Sequence, residues 1–299
     1  QRFRNWLISP TLLTFFRETY RPRRLLGKAH KTTLAYEVTI RLYTKHLGKE
    51  CRLADLTDSK VSQFIAARIE KDKVAKGTAK RDQDQLLALW RYAYTLALVK
   101  RGPTLQALDV PFPDPRAYTR EELDKLWAAI QRETREVLVS SEPVSIYVPG
   151  PVYWSAVFDV FWDTAARFNE VFSLNEIDLD LERGFVTIRA ENTKGGKVPR
   201  TYRLSNRAIE GVKLLLSHYP RRAPNFRVFR FATNMGILHS RLGDIIEAAG
   251  IEKIEGKRFH MLRRSRLTYE RVEGGDATKM AGHSSSAITE RNYIDQIGR

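Results

Sequence analysis

Four prolines, Pro103, Pro111, Pro113 and Pro115, follow Gly102 within a short span of the chain. No helix passes through such a stretch, because each ring fixes φ and removes a backbone donor. The chain must therefore fold as two bodies joined by an extended strap, which that density of prolines marks as a linker. Its 299 residues are enough for two domains of ordinary size. The expected division is a first domain over 1–110, a linker over 111–118 and a second domain over 119–299.

The first domain reads as helices. Residues 78–99 set Leu86, Trp90, Ala93, Tyr94 and Ala97 on one helical stripe, and residues 58–69 do so with Val61, Phe64, Ile65 and Ile69 behind a Thr57/Asp58 start signal. Residues 33–47 repeat the pattern with Leu34, Val38 and Leu42, and an earlier helix is expected to begin near Pro10. The aromatics on these stripes read as core. The second domain opens at Thr119-Arg120-Glu121-Glu122, a capping box, and is expected to be helical again over 152–174. The period then changes. Residues 177–181, 185–190 and 198–204 alternate or carry β-branched side chains, with turns at Glu182-Arg183-Gly184 and Lys194-Gly195-Gly196. Helices resume after Asn206. The expected fold is mainly α with a small antiparallel β-sheet, a helical first domain preceding a mixed α/β second one.

Charge narrows the partners. The net charge is +16, and residues 1–110 hold 22 Lys+Arg against 10 Asp+Glu, a net of +12. Residues 111–299 hold 29 against 25, a net of +4. Such asymmetry points to a polyanionic partner, nucleic acid above all, with the first domain as the clamp. Arg21, Arg23, Arg24 and Lys28, then Lys76, Lys80 and Arg81, are the candidate phosphate contacts. No run of about 18 apolar residues predicts a membrane span, and no apolar stretch near the start reads as a signal peptide. The lone Cys51 excludes a disulfide framework and a thiolate metal cluster, and fits a reducing compartment. No carboxylate cluster suggests a metal, so no cofactor is expected. The chain opens on Gln1 and is expected to be a trimmed piece.

One constellation suggests a chemistry. His260 and Arg263 lie one helical turn apart, His283 and Tyr293 follow, and Arg167 and Lys194 stand upstream. Attack on a phosphodiester builds negative charge on the non-bridging oxygens. Guanidinium groups suit that charge because their planar forks bind phosphate oxygens in pairs and keep their protons. Arg167 and Arg263 are the candidates. Tyr293 is the candidate nucleophile, and a phenol of pKa ~10 needs a base or a strong positive potential at neutral pH. His260 can take its proton. His283 can donate a hydrogen bond to a non-bridging oxygen, and Lys194, at a Gly-rich hairpin tip, can protonate the leaving 5′ oxygen.

These residues and their neighbours resemble the tyrosine recombinase (phage integrase) family. Thr164-Ala165-Ala166-Arg167-Phe168-Asn169-Glu170, followed by Leu174 and Asp178, is similar to the box carrying that family's first catalytic arginine, with Glu170 as an acidic buttress. Asn192-Thr193-Lys194 is similar to its β-hairpin lysine, His260-Met261-Leu262-Arg263 to its H-x-L-R box, and Ala281-Gly282-His283-Ser284-Ser285 to its L-G-H-S box. Tyr293 falls where its nucleophile is expected. The departures are Arg264-Ser265 for a usual His-Thr, Ala165 for a common glycine, Ala281 for a common leucine, and a slightly longer gap from His283 to Tyr293.

The resemblance implies a core-binding domain followed by a catalytic domain, clamped on double-stranded DNA. It implies a homotetramer on two DNA sites, a dimer per site, exchanging strands through a 3′-phosphotyrosine and a Holliday junction, as mobile elements do. Many members carry a C-terminal segment that docks on a neighbouring subunit, and the chain ends soon after Tyr293, so that segment is expected to be missing. Such a protein works on DNA, in the bacterial, archaeal or phage-infected cytoplasm or otherwise in a nucleus. Two rival readings stay open at this point: a type IB topoisomerase, which usually has Lys where His260 stands, and a non-catalytic DNA-binding regulator.

Overall fold

The computed structural model describes residues 10–111, 115–141, 144–193, 198–232, 234–252 and 258–295. It is mainly helical with small antiparallel sheets, and the chain divides into two compact units, Gln1–Phe112 and Pro113–Arg299. Among the described residues no helix is long and apolar enough to cross a membrane.

The first unit begins with one helical run: α1 (Leu12–Phe15), a π-helical turn over Phe16–Tyr20, and α2 (Arg21–Arg24). The Thr11 hydroxyl caps it by accepting from the Thr14 amide. Then come α3 (His30–Leu47), ended by Gly48 in the left-handed region, α4 (Asp58–Glu70) behind an N-cap at Thr57, and α5 (Lys76–Thr95). Leu12, Phe16, Tyr43, Val61, Leu86 and Trp90 meet in its core. The expected stripe on α3 is corrected. Leu34 and Val38 are exposed, while Thr33, Thr39, Ile40 and Tyr43 face inward. The reason is a polar core: the Thr39 hydroxyl lies 3.0 Å from Asp82 Oδ1 and 2.7 Å from Gln85 Oε1 on α5, and Arg68 Nε donates to Asp82 Oδ2 at 3.1 Å. A buried carboxylate demands such partners. On α5, Leu86, Trp90 and Ala93 are buried as expected, but Tyr94 is exposed and the helix ends before Ala97. Residues 101–108 are tied to α5, through Trp90 Nε1 on Arg101 O and Lys80 Nζ on Leu108 O, both at 2.7 Å.

In the second unit α6 (Arg120–Gln131) starts at the anticipated capping box, with Thr119 and Glu122 each accepting from the other's backbone amide. A hairpin of β1 (Val137–Ser141) and β2 (Val144–Val148) follows, in register Val137↔Val148. α7 (Gly150–Thr164) is the central helix, with Trp154, Phe158 and Phe161 among its fully buried side chains. Truncating any of the three to Ala is worth about 3–5 kcal/mol of stability. The helix expected over 152–174 is in fact broken. α7 stops at Thr164, Ala165 turns left-handed at φ +46°, and a short α8 (Phe168–Val171) restarts the chain. Thr164 Oγ1 closes the end, donating to Val160 O at 2.7 Å and accepting from Ala166 N at 3.2 Å.

The expected sheet is present as β3 (Leu179–Asp180), β4 (Phe185–Ile188) and β5 (Arg200–Arg203), antiparallel in that order, with Phe185↔Arg203 and Ile188↔Arg200 in register. Among the described residues α9 (Asn206–Ser217), α10 (Met235–Ala248), α11 (Arg258–Val272), α12 (Ala277–Ala281) and α13 (Ser286–Tyr293) follow. Ala117 and Tyr118, in the span expected to be linker, are buried in this unit, their amides on Asp295 Oδ2 (2.7 Å) and Ser265 Oγ (2.8 Å).

Candidate active site

The break after α7 creates the first part of the site. Leaving the helix at Ala165 puts Arg167 in an extended conformation at the N-cap of α8, where its amide donates to Glu170 Oε2 at 2.7 Å. Its Nη1 donates to Glu170 Oε1 at 3.0 Å. Glu170 therefore serves both as capping acid and as the brace of the Arg167 guanidinium. Its carboxyl is almost wholly buried, which alone would raise its pKa. The Arg167 amide and the Arg200, Arg167 and Arg263 guanidiniums outweigh that and hold it below the ordinary carboxylate range.

Arg263 lies on α11 and is 0% exposed. Its Nη1 donates to Ala165 O at the break, and its Nη2 to Ala281 O at the end of α12 at 2.9 Å. One guanidinium thus ties the ends of α7 and α12 to α11. Burial and the neighbouring Arg167 charge pull its pKa down to about 10, against interaction with Tyr293 and Glu170. It remains a cation at neutral pH. Its Nε is buried without a hydrogen-bond partner among the described residues.

Gly282 ends α12 at φ +63°, a conformation that favours glycine, and a Cβ there would lie 2.5 Å from Arg200 Nη1, so a larger residue would have to displace that guanidinium. The turn presents His283, whose Nε2 meets Arg263 Nη2 at 3.1 Å and whose Nδ1 meets Thr289 Oγ1 at 2.9 Å. A guanidinium only donates, so Nε2 must accept and the ring proton sits on Nδ1. In this state its Nε2 is an acceptor toward Arg263, not a donor free for another oxygen. Burial first, then the Arg263, Arg167 and Arg200 charges, push its pKa down to about 4.

α13 returns Tyr293 to the same place. Its ring is 5.0 Å from Arg263 Cζ, with the His260 and His283 rings at 5.0 and 4.8 Å. Ala165, Leu267, Ala277 and Ala281 pack around it. The Thr268 hydroxyl fixes the end of the helix, donating to Tyr293 O and accepting from Asp295 N, each at 3.1 Å. His260, Arg263, His283, Tyr293, Arg167 and Glu170, read from separate stretches of sequence, are therefore brought together within one unit.

Arg200 also joins them, and the sequence pattern gave no sign of it. From β5 its Nη2 reaches Glu170 Oε1 at 2.7 Å, an ion pair not aligned as a hydrogen bond, and its Nη1 donates to Ala281 O at 2.9 Å. An arginine between Pro199 and Thr201 in a polar stretch carries no periodic signal; only its register opposite Ile188 places it. Lys194 lies outside the described residues. Of the first-unit cations, Arg21, Arg23, Arg24, Lys28, Lys76 and Arg81 are exposed, while Lys80 is half-buried with its ammonium on Leu108 O.

The family model of the phage integrase family matches residues 119–297. The tyrosine recombinase XerC of Thermodesulfovibrio yellowstonii is 22% identical over 270 residues, 84% of each chain. Among solved structures, the Tn1549 transposon integrase in complex with circular intermediate DNA aligns with a TM-score of 0.72 at 16% identity over 97% of each chain. A lambda integrase tetramer bound to a Holliday junction aligns with a TM-score of 0.69 at 18% identity, over 97% of this chain and 79% of that one. Likeness at these identities is likeness of fold.

Proposed function

This chain belongs to the phage integrase family and is a tyrosine recombinase, and on that premise we propose that Tyr293 is its nucleophile and that Arg167, Lys194, His260, Arg263 and His283 serve it. Tyr293 Oη attacks a backbone phosphorus. The new bond to the phenolic oxygen forms as the bond to the 5′ oxygen breaks, leaving a 3′-phosphotyrosine and a free 5′-hydroxyl. His260 takes the phenolic proton, and Lys194 supplies one to the leaving oxygen. Arg167 and Arg263 hold the non-bridging oxygens. Preorganised donors of this kind are each worth about 10²–10³ in rate. Once Arg263 turns to the phosphate, transfer of the ring proton from Nδ1 to Nε2 lets His283 donate to a non-bridging oxygen, with Nδ1 then accepting from the Thr289 hydroxyl. Glu170 keeps Arg167 in place. The ester conserves the bond energy, so rejoining needs no nucleotide.

One observation carries this reading: the Tyr293 ring lies on the buried Arg263 guanidinium between two histidines. The first unit, with its exposed Arg21, Arg23, Arg24, Lys28, Lys76 and Arg81, supplies the phosphate contacts. Lys80 contributes through its aliphatic stem and its hold on residue 108. The assembly is a homotetramer on two double-stranded DNA sites, a dimer per site, resolving a Holliday junction for a mobile element, wherever the host keeps its DNA. The fold shared with the lambda integrase tetramer bound to a Holliday junction supports that assembly. The test uses a pool of nicked duplexes with a randomised core. Adducts that survive denaturant are recovered and sequenced, and the enriched duplex becomes the substrate. The chain is expected to form the adduct and Tyr293→Phe to bind without forming it; an adduct in that variant assigns the nucleophile elsewhere.

A further inference from the structure

The site contains a third guanidinium, to which neither the attack nor the proton transfers assign a task. Arg200 stands on β5, paired with β4 opposite Ile188. One of its nitrogens pairs with Glu170, the brace of Arg167, and the other donates to Ala281 O, the carbonyl that also receives Arg263 Nη2. Arg167 and Arg263 are thus each one link from the same side chain. The Arg200 guanidinium is itself largely buried and sits in the gap left by the missing Cβ of Gly282. Tyr202, two residues on along β5, donates from its hydroxyl to Met280 O at 2.9 Å, so the strand grips α12 at two points.

We propose that Arg200 is a positioning residue for strand cleavage, setting Arg167 through Glu170 and Arg263 through Ala281. The inference rests on the reading of Tyr293 as nucleophile. It follows from geometry: two groups that must bind the same phosphate gain most if one rigid fork fixes their separation, since small misplacements cost large rate factors. Lysine could replace it only in part, because a single ammonium keeps the charge but cannot present two nitrogens to two elements in one plane.

A pH signature separates positioning from simple stabilisation. Glu170 is faced by Arg167 at the start of α8, Arg200 on β5, Arg263 on α11, His283 after α12 and Tyr202 on β5. Removing the Arg200 charge lets both Glu170 and His283 take up protons at higher pH, and a protonated Glu170 no longer holds Arg167. The acid limb of the cleavage profile must therefore move upward.

The measurement is single-turnover adduct formation on the enriched nicked duplex, with DNA affinity measured beside it, for Arg200→Gln and Arg200→Lys. Arg200→Gln is expected to cleave about 10²-fold more slowly with affinity within about threefold of the parent, its acid limb displaced upward, and Arg200→Lys to recover part of that loss. Parental rate and profile in Arg200→Gln overturn the proposal. So does loss of DNA binding together with rate in both variants, which makes the role one of folding alone. An unmutated chain that forms no adduct sinks the reading of Tyr293 and this inference with it. An unmutated chain that forms one while Arg200→Gln equals it sinks this inference only.

Discussion

The two units carry their cations in opposite ways. In the first, Arg21, Arg23, Arg24, Lys28, Lys76 and Arg81 stand in solvent on a body of strong positive charge. In the second, which is nearly neutral, Arg263 is wholly enclosed, and Arg167 and Arg200 are clamped on the buried Glu170. Solvated cations attract a polyanion at long range and are screened by salt. Enclosed cations act at short range and at fixed angles, where their charge is worth far more. Under the proposed function, the contrast gives affinity to one unit and chemistry to the other.

The largest change that should sharpen this contrast is in affinity. With about 6–10 phosphate contacts, binding weakens about 10³–10⁵-fold between 50 and 200 mM salt. Neutralising Arg21, Arg23 and Arg24 together should flatten the slope of log K against log salt by about 0.9 for each phosphate left without its cation, and leave the rate of cleavage in bound complexes unchanged. An unchanged slope would move the clamp elsewhere. Next in size, Arg263→Lys should lower cleavage by about 10²–10³-fold with affinity nearly intact; an equal loss of affinity would break the division of labour.

A subtler effect is thermodynamic. His283 titrates near 4 in the folded chain, below the histidine's ordinary 6.5. A depressed histidine contributes stability that is fully present above the unfolded pKa and is lost as pH falls through the folded one. The melting temperature should fall between pH 6.5 and 4, and fall less in His283→Gln. Equal slopes in the two proteins would show that His283 does not set this pH dependence. The smallest effect belongs to Ala165. Glycine there relieves the left-handed strain at φ +46° but gives up a buried methyl and some chain entropy, so Ala165→Gly should change stability by no more than about 1 kcal/mol. A loss beyond about 2 kcal/mol would mean that the methyl holds Tyr293 in place.

What the sequence disclosed was local or chemical. Thr57 and the Thr119–Glu122 box mark their helix starts because capping is settled within four residues. The candidate site residues could be picked out because few side chains suit phosphoryl chemistry. What stayed hidden depends on distant partners. Leu34 and Val38 look like a core face until Thr39 finds Asp82 and Gln85 on α5. The β1–β2 hairpin escaped because the residues between its strands, Glu142-Pro143, are none of the dipeptides that announce tight hairpins. The end of α7 has neither Gly nor Pro to mark it, only Ala165 in a conformation that glycine usually takes. Arg200 is invisible without the strand register, and the acceptor role of His283 without Arg263 beside it.

On this reading one chain supplies both the buried guanidinium and the tyrosine that lies on it. Two inactive variants, Tyr293→Phe and Arg263→Ala, mixed on the nicked duplex, decide the matter. No covalent adduct should appear above that of either variant alone, because neither chain holds a complete site. Adduct restored by mixing would mean that a tyrosine is delivered to a neighbour's arginines, and the assignment of a site complete within one chain would fall.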